Sequence, residues 1–342
     1  MRVVHAVQCG PTTGGTVSHV MTQAVQQKQL GVEVAVCAAS EGLLADTCRA
    51  AGIPVVVEPL LGAQGAECVD GAAYADTVTA AIAEHRPDIV HAHLRHAGFA
   101  ASAASARLGV PMVYTQHMGD VDPFLVADSL SASTMPIIAV SRWVQDKTAS
   151  YVSDPGRIRY VPNGVETPRN FAFRLPKDGR PNVLFCGRLV AEKGADIAIL
   201  ALAVLKAEGA VQPLPRLHVA GVGSEELLLR RLAHLTGVDD DVTFHGSIPQ
   251  AIHADAGADL VVVPSRLEPC GLVVMEAMSS EIPLIASDVG GIPEMIRAGV
   301  DGRLVEPDSP RALASAIGEA LKAPSREAVE SARLRYLQPY TA

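Results

Sequence analysis

The stretch VVVPSRLEPCGLVVMEA, Val261 to Ala277, passes from a β-branched triplet through a proline-bounded loop into apolar residues at helical spacing. Val261–Val263 reads as a buried strand, Pro264–Pro269 as the loop, and the helix as beginning near Cys270. Glu268 lies in the loop and Glu276 in the second helical turn. A helix that only packed against a sheet would need neither carboxylate. The neighbours of Glu276 (Val273, Val274, Met275, Ala277 and Met278) are all apolar, so a buried, partnered carboxylate is expected. Helical side chains lean toward the N-terminus, which lets Glu276 reach back toward whatever Glu268 touches. The N–H groups of Cys270, Gly271 and Leu272 are expected to be unpaired donors for hydroxyl or phosphate oxygens.

The same order, strand then loop then helix, repeats on both sides of this stretch. In the first half, Val3–Val7, Val32–Ala38, Ile53–Val57, Ile89–His93, Met112–His117 and Ile137–Val140 read as strands. Val17–Leu30, Glu41–Ala51, Ala72–His85, Ala97–Leu108 and Ser141–Tyr151 read as helices. In the second half the strands are Val183–Cys186, Leu217–Ala220, Val242–His245, Leu260–Val263 and Leu284–Ala286. Its helices are Ala195–Ala207, Glu225–Leu235, Leu272–Ser279 and Pro310–Leu321. This alternation predicts an α/β protein of two doubly wound parallel sheets, residues 1–165 and 166–342. The proline-rich VPNGVETPRNFAFRLPKDGRP predicts a linker, with the hinge at 163–179. In such sheets ligands bind outside the carboxyl ends of the strands, so the residues that follow strands carry the functional weight.

The chain of 342 residues is long enough for about two domains. It is 49% apolar with few aromatics, the usage of buried parallel strands under helices. A net charge of −9 argues against a nucleic-acid partner. The six cysteines (Cys9, Cys37, Cys48, Cys68, Cys186 and Cys270) form no C-x-x-C pair, which suits a reducing compartment. The N-terminus begins directly as a strand without signal-peptide anatomy, and no apolar run could span a bilayer. A cytoplasmic protein is expected, with peripheral contact at the inner membrane face left open.

After the strand ending at Cys186 comes GRLVAEKG. Arg188, Lys193 and the closing Gly194 suit a diphosphate clamp beside a helix start, although an isolated pair of this kind is more often solvated. GPTTGG follows the first strand, and Gly14 and Gly15 would let backbone approach a phosphate or sugar. Neither G-x-G-x-x-G nor a P-loop is present. AGVGSEE, with Gly221 and Gly223, is a second such loop. His91 and His93 point to one strand face, but no carboxylate or cysteine nearby completes a metal set, and no metal is expected. His117 closes its strand and is better placed to touch a substrate.

GRLVAEKG, VAGVGSEE, VTFHGSI, PSRLEPCGLVVMEAMSSEIPLIASDVGGIPEMI and DGRLVEP together closely resemble the C-terminal half of retaining glycosyltransferases of family 4. GPTTGGTVSHV, RPDIVHAH, YTQH, IAVSRWV and YVPNGVE resemble the first half of that family more loosely. The resemblance implies a GT-B fold and a metal-independent transfer of a hexosyl group from a nucleoside-diphosphate sugar to a hydroxyl acceptor, with retention. It implies that Arg188 and Lys193 bind the donor diphosphate and that Glu276 holds the ribose. Glu268, with the amides of Cys270, Gly271 and Leu272, would hold the donor sugar. Gly14, Gly15 and Gly223 would lie along the donor, Ser247 and Ile248 near the base, and His117 beside the sugar near the acceptor. Glu268, His117, Arg188 and Lys193 would be the residues closest to the chemistry. No cofactor is implied. The donor would be a UDP-sugar, or alternatively a GDP- or ADP-sugar, and the acceptor a sugar, a lipid-linked sugar or a small molecule. The family pattern often has phenylalanine where Cys270 stands. Family chains usually run on into a helix that crosses back to the first domain; LRYLQPYTA follows soon after Leu321, so that helix is expected to be either shortened here or cut off by the end of the sequence. Rival readings are a nucleotide-sugar 2-epimerase of the same fold and a non-catalytic nucleotide-sugar-binding subunit.

Overall fold

The computed structural model describes residues 1–8, 14–58, 71–131, 133–165, 172–248, 251–323 and 325–337. Cys9, Cys68, much of the expected linker and the end of LRYLQPYTA lie outside them. The chain divides into two compact units, Met1–Asn163 and Gly164–Ala342.

In the first unit the elements are β1 (Arg2–Val7), α1 (Gly15–Gln29), β2 (Glu33–Ala38), α2 (Leu43–Ala50), β3 (Val55–Val57) and α3 (Gly71–His85). They continue with β4 (Ile89–His93), α4 (Arg95–Leu108), β5 (Met112–Gln116), α5 (Pro123–Leu130), β6 (Ile137–Ala139), α6 (Arg142–Ala149) and β7 (Ile158–Tyr160). The second unit holds β8 (Asn182–Cys186), α7 (Ala195–Glu208), β9 (Arg216–Ala220), α8 (Glu226–Leu235), β10 (Val242–Gly246) and β11 (Leu260–Val263). It ends with α9 (Leu272–Ser279), β12 (Leu284–Ser287), α10 (Ile292–Met295), β13 (Arg303–Val305), α11 (Pro310–Lys322) and α12 (Arg326–Leu337).

The first sheet has the order β3-β2-β1-β4-β5-β6-β7 and the second β10-β9-β8-β11-β12-β13. The pairings are parallel throughout. Each sheet therefore starts in its middle, runs to one edge and returns to fill the other. The chain reverses direction between β1 and β4 in the first unit, and between β8 and β11 in the second. At such switch points the neighbouring loops diverge and leave room for a ligand.

The strands are valine- and alanine-rich because both faces are covered. Val183, Phe185, Leu217, Val219 and Val262 pack on one side of the second sheet with Ile199 and Leu205 of α7 and Leu313 and Ile317 of α11. Leu184, Val261 and Val263 pack on the other with Val274, Ala277 and Met278 of α9. Helix α7 is bounded by two left-handed glycines, Gly194 (φ 69°) and Gly209 (φ 60°), and Gly209 N–H caps the carbonyls of Leu205 and Lys206.

Several elements depart from the sequence reading. The three-residue edge strands β7 and β13 are too short to show a period. Helix α5 is announced only by its cap, where the Asp122 side chain accepts from Phe124 N–H and Pro123 opens the first turn. Helix α12 follows the point where the last helix was expected to end; its sequence REAVESARLRYL interleaves five charged residues with the apolar ones, and only Ala332 is buried. Helix α9, by contrast, spans Leu272–Ser279 as expected, with Gly271 as a left-handed cap (φ 75°). No helix among the described residues is long and apolar enough to cross a membrane.

Candidate functional site

At the switch point of the second unit, the loops after β8, β9, β11 and β12 pack backbone against backbone. A Cβ added to Gly221 would lie 1.8 Å from the Gly187 carbonyl oxygen, and one on Gly223 2.2 Å from that of Leu189. On Gly194 it would meet Pro264 O at 2.0 Å, and on Gly290 it would meet Glu268 O at 2.2 Å. Only glycine permits these approaches. Hydrogen bonds stitch the same loops together: Leu189 N–H donates to Val222 O, Arg266 N–H to Glu192 O and Gly291 N–H to Glu268 O, at 2.9, 2.8 and 2.9 Å.

Arg266 latches the loop that carries Arg188 and Lys193. Its guanidinium forms a fork with Asp196 on the first turn of α7, at 2.9 and 2.6 Å. The same group donates to Asp308 at 2.5 Å and to Ala191 O at 2.6 Å. Sequence reasoning passed over Arg266, although it stands inside the stretch that decided the fold. The signal was an arginine just past a buried strand, with an acidic residue in the first turn of a neighbouring strand's helix. Gly290 and Gly291, in DVGG, were also missed.

The structure brings Lys193 and Glu268 into contact. Lys193 Nζ lies 2.8 Å from Glu268 Oε2, and both side chains are largely buried. Ser265 Oγ donates to Oε2 at 3.3 Å, and Gly271 N–H donates to Oε1 at 3.2 Å. The Gly271 amide, expected to be an unpaired donor, is therefore already taken by the carboxylate three residues before it. The lysine and the helix-end amide thus converge on one carboxylate. Arg188 is different. Its side chain is 48% exposed and among the described residues pairs only with Glu192, at 3.9 Å, so its charge faces solvent.

Glu276 sits on α9 behind Cys186, the last residue of β8. Its carboxylate makes no hydrogen bond or ion pair with a side chain among the described residues. Burial pushes its pKa up to about 7. Burial, and second the charge of Glu276, push the Cys186 thiol up as well. A carboxylate held this way is short of hydrogen-bond donors. Ser247 follows β10, and Ile248 packs on the α9 side of the sheet with Val263 and Val274. Cys37, Cys48, Cys186 and Cys270 are free thiols.

In the first unit, Gly14 caps α1 in extended conformation and Gly15 is its first helical residue. A Cβ on Gly14 would meet nothing within 4 Å. The neighbouring switch point is occupied by imidazoles. In the β1–β4 register His5 lies opposite His91 and Val7 opposite His93, which puts the three histidines on one face. His5 Nε2 lies 2.8 Å from Gln27 Oε1, His5 Nδ1 3.1 Å from His93 Nε2, and His93 Nδ1 3.1 Å from His117 Nε2. His91 Nε2 bonds Thr115 Oγ1 at 2.6 Å. The amide oxygen of Gln27 can only accept, so each ring along the column carries its proton on Nε2. His19, half-buried on α1, stands edge-on to His117 with centroids 5.2 Å apart.

Burial pushes His5 and His19 down to about 4. His91, His93 and His117 are held well below the usual range, first by burial and then by their neighbours. The premise for expecting no metal is thereby corrected. Nothing beside His91 and His93 in sequence completes a donor set, but β1, β5 and α1 supply His5, His117 and His19 from a distance. The parallel placement of histidine in VVHAV and IVHAH was the signal for His5.

A model for glycosyl transferases group 1 matches residues 166–335, and one for glycosyltransferase family 4 matches residues 13–169. The chain belongs to this glycosyltransferase family. It is 33% identical over 275 residues to a D-inositol 3-phosphate glycosyltransferase of Acidothermus cellulolyticus, a match covering 68% of this chain and 59% of the relative. It is 31% identical over 263 residues to a glycogen synthase of Mycobacterium tuberculosis, covering 70% and 61%. The chain thus spans about three-fifths of the length of these curated relatives. Among solved structures it resembles Anabaena Alr3699/HepE in complex with UDP and glucose, with a TM-score of 0.81, 21% identity and coverage of 99% and 95%. The fold is GT-B: two Rossmann-like units, each a parallel sheet between helices.

Proposed function

We propose that the protein transfers a hexosyl group from a nucleoside-diphosphate sugar, a UDP-sugar in the first instance, to a hydroxyl acceptor with retention of anomeric configuration. The observation that carries this is the arrangement around the β8–β11 switch point. A solvent-facing arginine and a lysine paired with an internal carboxylate stand on the loops after β8 and β11, and a second carboxylate, without a side-chain partner among the described residues, stands on α9. Neighbouring solved structures contain UDP, and one contains UDP-glucose, which supports the choice of donor.

The chemistry follows from an exchange of partners. An incoming diphosphate pairs with Arg188 and competes for Lys193, releasing Glu268 Oε2. Glu268 and the Gly271 N–H it was holding are then free to meet sugar hydroxyls, while Glu276 accepts from vicinal ribose hydroxyls. Breaking the bond from the anomeric carbon to the phosphate oxygen leaves negative charge on the β-phosphate and a cationic sugar. Arg188 and Lys193 stabilise the leaving group without a metal, and Glu268 stabilises the sugar cation. The acceptor hydroxyl attacks from the same face, and its proton passes to the departing phosphate oxygen.

Nucleotide affinity tests this directly. UDP, GDP and ADP are compared by thermal shift, because a ligand that binds the folded form raises its melting point. UDP is expected to bind, and Glu276→Ala, Arg188→Ala and Lys193→Ala each to weaken it about tenfold or more. Unchanged affinity in all three variants removes the site. NMR of the donor and product then reads the reaction: an altered nucleotide sugar with no acceptor present indicates the epimerase, and an inverted product anomer rejects retention.

A further inference from the structure

We propose that His19, His93 and His117 of the first unit form a binding site for a divalent transition metal of the zinc class. One nitrogen from each of the three rings lies within 4.8 Å of the other two. Zinc binds imidazole nitrogen at about 2.0–2.1 Å, so tetrahedral partners stand roughly 3.3–3.4 Å apart. His93 Nδ1 and His117 Nε2 are 3.1 Å apart, already near that spacing. His19 makes only ring contacts among the described residues and sits half-buried on the first turns of α1, where a side-chain rotation can bring it in.

The surrounding hydrogen bonds select this trio over its neighbour. His5, His91 and His93 also converge, but all three are buried and leave no open face. With a metal on His93 Nδ1, the opposite nitrogen of that ring keeps its proton and donates to His5 Nδ1, which in turn donates through Nε2 to Gln27 Oε1. Ligating histidines are oriented by such a donor bond from the nitrogen that faces away from the metal. That outer layer is in place before any metal arrives. A neutral imidazole offers one nitrogen lone pair and carries one proton, so ligation through the former leaves the ring its proton. His117 need only carry its proton on Nδ1 instead of Nε2. Three imidazoles suit zinc, cobalt, nickel or copper, and not magnesium or calcium, which require oxygen.

The second unit provides a control. There His218 Nδ1 meets His245 Nε2 at 3.0 Å, and His218 Nε2 meets Asn182 Oδ1 at 3.0 Å. This column has two rings and no third donor among the described residues. The site does not depend on the transferase reading and is tested without measuring activity. The untagged full chain is titrated with Co2+, followed by the visible absorption of tetrahedral cobalt, and then with Zn2+. A saturable 1:1 tetrahedral spectrum that Zn2+ abolishes is expected. His19→Ala should weaken Co2+ binding about a hundredfold, Gln27→Leu about tenfold or more through the outer layer, and His245→Ala not at all. Absence of a 1:1 tetrahedral spectrum overturns the proposal, and so does undiminished affinity in His19→Ala, a partly exposed position that leaves the buried column intact.

Discussion

At the switch point of the second sheet backbone runs against backbone, with Gly221 on Gly187 and Gly290 on Glu268. At the switch point of the first sheet the space between β1 and β4 is filled by side chains, the rings of His5, His91 and His93, and the glycine at the helix start has open space where its Cβ would be. The difference concerns how a loop is held. Close backbone packing fixes the second unit's loops whatever they bind, and leaves Arg188 with a long pair to Glu192 and Glu276 without a side-chain partner among the described residues. The first unit holds its histidines through one another, so their arrangement depends on protonation. Among the described residues nothing packs where a Gly14 Cβ would be, whereas Gly290 lies against Glu268 O.

Substituting those two glycines would break or sharpen the contrast most strongly. Gly290→Ala places a methyl into Glu268 O at a residue with φ 58°, and should cost more than about 3 kcal/mol. Gly14→Ala, in extended conformation with nothing nearby, should stay within about 0.5 kcal/mol. The single tryptophan, Trp143, lies in the first unit, so its fluorescence follows that unit, while circular dichroism follows both. Gly290→Ala should lower only the transition that tryptophan does not see. Equal losses at both glycines would mean the two loops are held alike.

The next effect in size is a gain. Glu276 has a folded pKa of about 7 against 4.5 in the unfolded chain, so the folded state binds the extra proton between those values. Its contribution is most favourable below about pH 4.5 and is lost as pH rises through 7. Glu276→Gln removes the cost of the buried charge and should stabilise the second unit by about 1–3 kcal/mol at pH 8, with the gain vanishing near pH 5. The same variant should bind UDP less well. A stability gain independent of pH would show that the carboxylate is not held against its charged form. Arg266→Ala should then cost about 1–2 kcal/mol, since its ion pairs are partly solvated, and should speed amide exchange at Arg266, whose N–H is held by Glu192 O. Protection unchanged at that amide would remove Arg266 as the latch.

Much of this frame was legible in the sequence because parallel strands covered on both faces leave long runs of valine, alanine and leucine. Ile89–His93, Leu260–Val263 and Leu272–Ser279 fall where the periodicity placed them. The residues that follow β8 and β11 could be picked out because a strand end in an open parallel sheet marks a ligand-facing loop. What could not be read was pairing across distance. Lys193 and Glu268 are 75 positions apart and His5 and His93 are 88 apart, and no local pattern says that they touch. Arg266 was hidden for the same reason, because its partners Asp196 and Asp308 are 70 and 42 positions away.

Arg188 should show the smallest structural effect of all, and that is its value as a test. Its guanidinium is about half exposed, and its one ion pair, to Glu192, is long at 3.9 Å. Exposed pairs of that kind contribute little, so Arg188→Ala should change stability by less than about 0.5 kcal/mol. Lys193→Ala is not equivalent, since it strands the largely buried Glu268 carboxylate and should cost about 1–3 kcal/mol before any ligand is considered. If the charge on Arg188 is reserved for a diphosphate, the rise in melting temperature that UDP produces in the parent chain should largely disappear in Arg188→Ala, while the unliganded melting temperatures coincide. A large loss of unliganded stability would instead make Arg188 part of the frame, and the second unit would then present no exposed cation at the carboxyl end of β8 for a ligand to claim.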